Sequence, residues 1–387
     1  MSAVPMDVAA RLESRSFTSD NTAGGAPEIV AAVAAVASGQ APPYGTDSWT
    51  LSARRRFSEI FEHDVDLLPV STGSAANALS LAALTPPWGS VLCHRDSHIN
   101  NDECGAPEFF TGGAKLVALA GENAKIDPDE LQAAVHRKVG DVHSVQPSVL
   151  SLTQATEAGA VYTPAEIGHL AGMAKHAGLR VHLDGARLAN AVAALGCNPA
   201  ELTWRAGVDM LSFGAIKNGS ITADAIVVFE RSATTELSFR AKRAGQLAAK
   251  MRFAAAQLDA YLTDDLWLRN ARHANAMAAR LEEELKAIPG VRLVGTPEAN
   301  ILFCRLPQQV IDGLLDQGFG FYHGRWEPGV VRFVTSFATA THEVDELVRA
   351  VRRLTAAAIE ESRPKRARAQ RSAGRRRSEV AWIGHRR

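Results

Sequence analysis

Short apolar runs rich in β-branched residues alternate with amphipathic segments from about residue 70 to residue 230. The apolar runs are "DLLPVS", "SVLCH", "AKLVAL", "SVLSLTQ", "LRVHLD", "DMLSFGAI" and "AIVVFE". Between them lie helical patterns such as "AANALSLAAL" and "PAEIGHLAGMAKHAG", the second beginning at Pro164 and ending at Gly178. This alternation predicts an α/β fold whose mainly parallel sheet is flanked by helices on both faces. In such folds ligands bind beyond the carboxyl ends of the strands.

The pattern changes after about residue 230, where longer helical segments dominate. One runs from roughly Ala254 to Ile288, another lies near Gln309 to Gln317, and a last one extends from Glu343 to about Glu361. The strand-like runs "VRLVG", "NILFCRL" and "GVVRFVTSF" accompany them. This order predicts a smaller α+β domain. We expect an N-terminal arm, a large α/β domain, the small domain and a tail, over residues 1–20, 21–262, 263–362 and 363–387.

Charge is distributed unevenly along a chain of otherwise ordinary globular composition. The 387 residues include 42 Lys or Arg and 42 Asp or Glu. Ten of the basic residues and a single acidic one, Glu379, fall between Arg363 and Arg387, so the first 362 residues hold 32 basic and 41 acidic residues. The tail has no apolar periodicity and cannot bury enough surface to order itself. We expect it to be disordered.

The sequence indicates neither secretion nor a membrane span. The N-terminus lacks a basic segment followed by an apolar run, and no stretch approaches about 18 consecutive apolar residues. A chain of this size needs no disulfides for stability, and its cysteines contain no CxxC pair. We therefore expect a cytoplasmic protein with four reduced thiols, at Cys93, Cys104, Cys197 and Cys304.

Charged residues end two of the predicted buried strands. Asp184 and Arg187 lie in "HLDGARL", and Lys217 closes "MLSFGAIK", 33 residues after Asp184. Burying either charge without a partner is costly, and a lysine at a strand end is more often a solvated surface residue. Together, however, Asp184 and Lys217 match what pyridoxal 5'-phosphate requires. Its aldehyde bonds to a lysine amine, and a carboxylate keeps its ring nitrogen protonated.

A phosphate site is expected upstream, where "STGSAANAL" follows the strand "DLLPV" and opens a helix. Gly73, Ser74 and Ala75 stand at the start of that helix. Free backbone N–H groups, the Ser74 hydroxyl and the positive end of the helix dipole favour an anion there. Glycine-rich turns before helices are common, so the motif alone is a weak indication of a phosphate site. Its position upstream of Asp184 and Lys217 strengthens the prediction.

Residues 94–110, "HRDSHINNDECGAPEFF", provide a candidate histidine. His98 could stack on a flat ring opposite Asp184, and it could accept a proton near neutral pH. His94 lies four residues before it with two cysteines nearby, which raises zinc as an alternative. A second paired set of ligands is missing and the segment has no helical pattern, so we expect no metal.

Seven motifs combine into a recognisable series: "FTSDNTAG", "YGTDSW", "STGSAAN", "DSHINNDECGAPEFF", "SLTQATEAG", "VHLDGARLANA" and "SFGAIKNG". The series resembles the low-specificity L-threonine aldolases and their phenylserine aldolase relatives, which are fold type I pyridoxal phosphate enzymes. The resemblance covers about residues 17–361. It implies a carbon-carbon lyase that cleaves L-threonine, L-allo-threonine or phenylserine-type amino acids to glycine and an aldehyde.

The resemblance also implies roles for individual residues. Lys217 would hold the cofactor, Asp184 would pair with its ring nitrogen, and His98 would stack on the ring. Arg187 would lie beside the cofactor's 3-hydroxyl and the substrate carboxylate, so that a ligand matches both charges of "DGAR". Pyridoxal phosphate would be held at its phosphate by Gly73 and its neighbours.

Four further positions follow from the resemblance. Ser19, in "TSD", and Arg332, in "VVRFVT", match residues that bind the substrate carboxylate, for which a bidentate guanidinium is suited. Without the resemblance, Arg332 would be taken as a surface residue. The family's "GGGxR" phosphate loop, which comes from a neighbouring subunit, is present only as "KRAGQLAAKMR", with Lys250 at the arginine position, and "SKG" is replaced by "IKN". A homotetramer built from dimers is implied, with Tyr44 and Lys250 reaching a neighbour's site.

Two alternatives remain open. Pyridoxal phosphate also supports β-elimination, because the protein selects the bond that breaks by aligning it. The basic tail would give salt-sensitive, non-specific affinity for nucleic acid, but it lacks the interleaved aromatics of a specific reader. We expect a small-molecule amino-acid substrate and neither a membrane nor a nucleic-acid partner. The sequence identifies neither the preferred aldehyde half nor the base that deprotonates the β-hydroxyl group.

Overall fold

The computed structural model describes residues 15–362. The predicted basic tail, residues 363–387, and most of the predicted N-terminal arm lie outside the described residues.

A seven-stranded sheet forms the centre of the larger part of the molecule. Its strands are β1 (Asp66–Val70), β2 (Gly89–His94), β3 (Lys115–Leu119), β4 (Gln146–Thr153), β5 (Arg180–Gly185), β6 (Met210–Phe213) and β7 (Asp224–Val228). They are arranged in the order β1-β7-β6-β5-β4-β2-β3. Strand β7 is antiparallel to both of its neighbours, β1 and β6, and the other pairs in the sheet are parallel. The predicted mainly parallel sheet is confirmed.

Within residues 15–362, ten α-helices accompany this sheet. They are α1 (Pro27–Ala35), α2 (Ser48–Phe61), α3 (Gly73–Leu84), α4 (His98–Asn101), α5 (Ala106–Thr111), α6 (Pro128–Val135), α7 (Pro164–His176), α8 (Leu188–Leu195), α9 (Thr234–Arg243) and α10 (Arg252–Leu262). Helix α7 begins with the capping box of Thr163 and Glu166 and has Pro164 at its first turn. These signals explain why its start could be predicted.

Both faces of the sheet are buried, and the two faces differ in polarity. Along β7, Ala225 and Val227 pack into the core that contains α2, α7, α8 and α10, whereas Ile226 packs on the opposite face with α3 and α9. Two-sided burial selects continuous apolar runs instead of alternation. On the α3 side, however, β5 carries His182 and Asp184 in alternate positions. The polar residues of the site therefore lie under α3.

Two expectations about helices were wrong. The run from Ala254 to Ile288 is divided into α10 and α11 (Leu266–Lys286) by a 3-10 turn at Thr263–Asp265. Asp264 and Asp265 have φ of 51° and 54° there, and aspartate adopts this left-handed conformation without a clear sequence signal. Residues 94–110, expected to be non-helical, contain α4 and α5, which are too short to show apolar periodicity.

A second sheet lies in the C-terminal part of the described chain. Its antiparallel strands are β8 (Arg292–Val294), β9 (Ile301–Arg305), β10 (Tyr322–His323) and β11 (Val330–Val334), in the order β10-β11-β9-β8. Helices α12 (Gln308–Asp316) and α13 (Thr341–Ser362) accompany it, and together with α11 they enclose a separate apolar core. The predicted smaller α+β arrangement is confirmed. The exact domain boundaries stay a prediction.

Residues 15–20 run along the second sheet before the chain enters the larger part. The Phe17 N–H donates to the Gly320 carbonyl at 2.7 Å, and the Val334 N–H donates to the Phe17 carbonyl at 2.9 Å. These bonds place Ser19 and Asp20 between the two sheets.

No helix within residues 15–362 is both long and apolar enough to cross a bilayer. All four cysteines are free.

Candidate functional site

A cavity of about 1150 Å³ lies beyond the carboxyl ends of β4, β5 and β6 and extends to the second sheet. Eight of the residues singled out from the sequence line it: Ser19, Gly73, Ser74, His98, Asp184, Arg187, Lys217 and Arg332. Ala75, Tyr44 and Lys250 do not line it. The structure therefore brings together residues that are more than 300 positions apart in the chain.

Asp184 is buried at the end of β5 and faces the cavity. Its Oδ2 accepts a hydrogen bond from Asn77 Nδ2 at 2.8 Å, and its Oδ1 accepts one from the Ala186 N–H at 3.0 Å. A carboxylate has about four acceptor positions, so room remains for a further donor from the cavity. The next residue is Gly185. A Cβ atom at this position would lie 2.9 Å from the Ser212 carbonyl oxygen, which is too close for a larger residue.

His182 lies two residues before Asp184 on the same face of β5. Its Nδ1 is 2.9 Å from Ser151 Oγ and its Nε2 is 2.9 Å from Ser212 Oγ. Complete burial lowers the pKa of His182 to about 4, so the ring is neutral at physiological pH. His182 was not predicted as a site residue, although its spacing of two from Asp184 in a strand places both side chains on one face of the sheet.

Lys217 lies in a 3-10 turn, Ile216–Asn218, and not at the end of a strand as expected, because β6 already ends at Phe213. Asp224, at the start of β7, holds this turn. Its Oδ1 accepts the backbone N–H groups of Ala215 at 2.7 Å and Ile216 at 3.0 Å. Burial raises the pKa of Asp224. Asp224 was not recognised in the sequence, where it appears as one polar residue ahead of an apolar run.

The N-terminus of α3 borders the same cavity. Thr72 caps the helix, because its Oγ1 accepts the Ala75 N–H at 3.1 Å. The Ala75 N–H predicted to bind phosphate is therefore already bonded within the chain. Gly73 and Ser74 line the cavity, and the positive end of the helix dipole favours an anion beside them.

His98 begins α4 and presents its half-exposed ring to the cavity. Its Nδ1 is 2.8 Å from Glu103 Oε1, and its backbone N–H donates to Glu157 Oε1 at 2.8 Å. The hydrogen bond to Glu103 raises the pKa of His98, against the effect of burial. Burial raises the pKa of Glu103, and it raises that of Glu157 to about 7. Neither glutamate was identified from the sequence.

His94 is engaged elsewhere. Its Nδ1 accepts the Asp96 N–H at 3.1 Å, and its Nε2 lies 3.2 Å from the Gly121 carbonyl oxygen. Within the described part of the chain, no group of three or more His, Cys, Asp or Glu side chains could hold a metal ion.

Arg187 has a partner within the chain, contrary to the expectation that a ligand matches both charges of "DGAR". Its Nε and Nη2 donate to Asp20 Oδ2 at 2.7 Å and Oδ1 at 2.8 Å. Burial opposes ionisation of Asp20, but the charges of Arg187 and Lys217 outweigh it and lower its pKa. Asp20 follows the predicted Ser19, yet it lies 167 residues before Arg187. No local spacing could reveal that pair.

Arg332 lies in β11 and faces the cavity from the second sheet. Among residues 15–362 it forms no ion pair with a carboxylate, and its Nη2 donates to the Thr18 carbonyl at 3.4 Å. Its Cζ lies 4.6 Å from the Tyr322 ring centroid. Burial lowers its pKa to about 10, which leaves the guanidinium charged at neutral pH. Arg332 is thus a cation available to a ligand.

Comparison with known proteins identifies the family. The sequence profile of the family described as Beta-eliminating lyase matches residues 16–306. The chain is 44% identical to a low specificity L-threonine aldolase of Pseudomonas aeruginosa over 336 residues, which is 87% of this chain and 96% of that protein. This chain belongs to the threonine aldolase branch of the beta-eliminating lyase family. It is also 41% identical over 345 residues to a low specificity L-threonine aldolase of a Pseudomonas species, covering 89% and 99% of the two chains.

Solved structures agree with membership of this family. A threonine aldolase from Leishmania major superposes with a TM-score of 0.82 at 29% identity, covering 88% of this chain and 99% of its own. Mouse CSAD, at 15% identity and a TM-score of 0.71, shows the fold alone. The fold is that of the fold type I pyridoxal phosphate enzymes.

The cavity of this threonine aldolase family member fits pyridoxal phosphate. It offers a buried carboxylate with free acceptor positions at Asp184, an amine at Lys217, an imidazole at His98 and an anion site at the start of α3. Asp184 and Lys217 line the same cavity and do not point into separate parts of the molecule.

Tyr44 and Lys250 lie close together on the surface of the molecule. The Tyr44 N–H donates to the carbonyl of Ala249 at 3.1 Å, and the Tyr44 ring is 47% exposed. Lys250 is exposed as well. That they act in a neighbouring subunit stays a prediction.

Proposed function

We propose that the protein is a carbon-carbon lyase that cleaves L-β-hydroxy-α-amino acids to glycine and an aldehyde with pyridoxal phosphate as its cofactor. The observation that carries this proposal is the shared cavity of Asp184 and Lys217, in a chain 44% identical to a low specificity L-threonine aldolase. The substrates expected are L-threonine, L-allo-threonine and phenylserine-type amino acids.

The residues of the cavity would hold the cofactor at three points. Lys217 would anchor it covalently, Asp184 would accept a hydrogen bond from its ring nitrogen, and Gly73 and Ser74 would bind its phosphate. His98 would contact the ring. The bound cofactor supplies an electron-accepting ring conjugated to the substrate's amino group.

Two arginines would bind the substrate carboxylate. Arg332 has no acidic partner among the described residues, so its guanidinium can form a bidentate pair with the carboxylate. Arg187 is held in a fixed orientation by Asp20 and adds positive charge on the other side. Ser19, beside Asp20, contributes a hydroxyl. Fixing the carboxylate orients the Cα–Cβ bond, and this orientation selects the bond that breaks.

His98 would take the proton of the β-hydroxyl group. The ring lines the cavity and has one nitrogen that is not bonded to Glu103. Loss of the hydroxyl proton allows the carbonyl of the departing aldehyde to form.

The proposal is tested by incubating the purified protein and cofactor with L-threonine, L-allo-threonine and L-phenylserine. We expect glycine and the matching aldehyde in equal amounts. Pyruvate and ammonia, detected with lactate dehydrogenase, would indicate β-elimination instead. Lys217→Ala should abolish both cleavage and the borohydride-sensitive visible absorbance of the bound cofactor. A Lys217→Ala variant that retained either one would contradict the assignment.

We further propose a cytoplasmic homotetramer built from dimers. Tyr44 and Lys250 would reach the cavity of a neighbouring subunit, with Lys250 at its phosphate.

A further inference from the structure

Four side chains that line the cavity form a continuous hydrogen-bonded chain. Asn77 Nδ2 is 2.8 Å from Asp184 Oδ2 and 2.8 Å from Glu103 Oε1, and that same Glu103 oxygen is 2.8 Å from His98 Nδ1. Asn77, Glu103 and Asp184 are all buried. The chain therefore joins the carboxylate proposed for the cofactor's ring nitrogen to the imidazole proposed as the base.

The donors and acceptors in this chain can be assigned. An amide NH₂ group has two hydrogens, and Asn77 places one on each carboxylate. The opposite amide orientation would set Asn77 Oδ1 against two carboxylates, which is repulsive. Glu103 Oε1 is therefore an acceptor, and His98 Nδ1 donates to it. His98 Nε2 keeps its lone pair.

The main chain of His98 is held independently of its ring. The backbone N–H donates to Glu157 Oε1 at 2.8 Å, from the segment after β4. The other charges that face the imidazole are Asp184 on β5, which favours the imidazolium, and Lys217 after β6, which opposes it. Glu103 is the charged group in direct contact with the ring.

We propose that Glu103 is a positioning residue that holds His98 with Nδ1 as donor, so that Nε2 is the atom that receives the β-hydroxyl proton. The inference rests on the aldol cleavage proposed above. In that step the hydroxyl proton passes to Nε2 and the O–H electron pair becomes the second bond of the aldehyde carbonyl. The Cα–Cβ bond breaks with its electron pair remaining on the Cα side, and a proton returned to Cα completes glycine. The carboxylate of Glu103 stabilises the imidazolium that forms.

Glu103→Gln tests the proposal because it keeps the size and an acceptor oxygen but removes the charge. We expect kcat for L-phenylserine to fall by about tenfold to a hundredfold, with KM changed less than about threefold. The acidic limb of the kcat/KM profile should move to lower pH, because His98 loses the partner that favours its charged form. A residue with a purely structural role would lower the rate without moving that limb.

A second measurement does not depend on turnover. Diethylpyrocarbonate modifies neutral imidazole, so the pH dependence of His98 labelling in the holoenzyme, followed by peptide mass spectrometry, reports the titration of that ring. In the wild-type protein His98 should titrate at higher pH than N-acetylhistidine. The Glu103→Gln substitution should lower the pH at which His98 titrates. Titration at or below that of N-acetylhistidine in the wild type overturns the proposal even if the variant does not fold.

Glu108→Gln is the matched control, with the same chemical change five residues further along and outside the cavity lining. It should leave the rate, the pH profile and the labelling unchanged, and all three proteins should show the cofactor's visible absorbance. If none of them cleaves phenylserine, the proposed function fails, while the labelling still decides the role of Glu103. A Glu103→Gln protein with an unshifted profile and unshifted labelling contradicts the positioning role.

Discussion

Arg332 carries a half-buried positive charge that forms no ion pair with a carboxylate of residues 15–362. A substrate carboxylate bound in bidentate fashion would pair with this charge, and lysine cannot reproduce that geometry. Arg332→Lys should therefore raise KM for L-threonine by about tenfold to a hundredfold, equivalent to about 1.4 to 2.7 kcal/mol, with a smaller effect on kcat.

Steady-state kinetics of Arg332→Lys and Arg325→Lys provide the comparison. Arg325 also lines the cavity, but it is exposed, and its Cζ lies 4.1 Å from the same Tyr322 ring. Because an exposed charge interacts weakly through solvent, its replacement should change KM by less than about twofold. Equal effects of the two substitutions would show that the change in KM does not come from bidentate carboxylate binding by Arg332.

Glu157 is expected to make stability depend on pH. Burial raises its pKa from 4.5 to about 7, so between these values the folded protein holds a proton that the unfolded chain has released. The stabilisation that comes from protonated Glu157 is complete below pH 4.5, and it is lost as the pH rises through about 7. Glu157→Gln should remove this loss, which is at most about 3.4 kcal/mol.

The measurement is the thermal midpoint of cofactor-free protein at about pH 5 and about pH 8. Relative to wild type, the variant should gain stability at the higher pH. If the thermal midpoint changed equally between the two pH values in the variant and in the wild type, Glu157 would ionise with an ordinary pKa.

At the scale of elements, the turn that carries Lys217 depends on Asp224 at the start of β7. Asp224→Ala leaves the buried Ala215 N–H and the part-buried Ile216 N–H without an acceptor. For the buried Ala215 group this costs about 1 to 3 kcal/mol. We expect a lower thermal midpoint and weaker cofactor retention, measured by absorbance after dialysis. Asp224→Asn keeps an acceptor oxygen and should lose much less. Identical behaviour of the two variants would exclude this role.

The elements and the site differed in how far the sequence could predict them. The strands of the large sheet were predictable because burial on both faces makes them continuous apolar runs. Asp184 and Lys217 were predictable because each ends or follows such a run. Asp20 and Glu103 were not, because their bonds to Arg187 and Asn77 join residues that are far apart in sequence. The break before α11 was missed because apolar periodicity continues through it.

At the scale of the whole molecule, Asp20 connects the two sheets. It comes from the segment that runs along the second sheet, and it accepts hydrogen bonds from Arg187 after β5 and from Asn300 at 3.0 Å just before β9. The substrate would therefore bind where the two sheets are joined, with Arg332 on one side and Arg187 on the other. The same segment contacts both arginines, because Thr18 accepts a hydrogen bond from Arg332 and Asp20 accepts two from Arg187.

The surface retains features that fit assembly into oligomers. Phe109, Phe239 and Trp88 are 78%, 75% and 66% exposed, and Tyr44 and Lys250 are adjacent. Exposed aromatic side chains are typical of subunit interfaces. If Lys250 binds phosphate in a neighbour's cavity, each active site needs Lys217 from one chain and Lys250 from another, and sedimentation should show an oligomer.

Subunit mixing tests whether sites are shared. Lys217→Ala and Lys250→Ala proteins should each have low activity, because each lacks one half of every site. After the two are unfolded and refolded together, half of the dimers are mixed and each mixed dimer has one intact site, so activity should recover to about a quarter of wild type. Lys217→Ala mixed with Asp184→Ala is the control, because both changes fall in the same half-site and no intact site can form. No recovery in the test pair would show that each chain builds its site alone. Recovery in the control would contradict the placement of Asp184 and Lys217 of one chain in the same site.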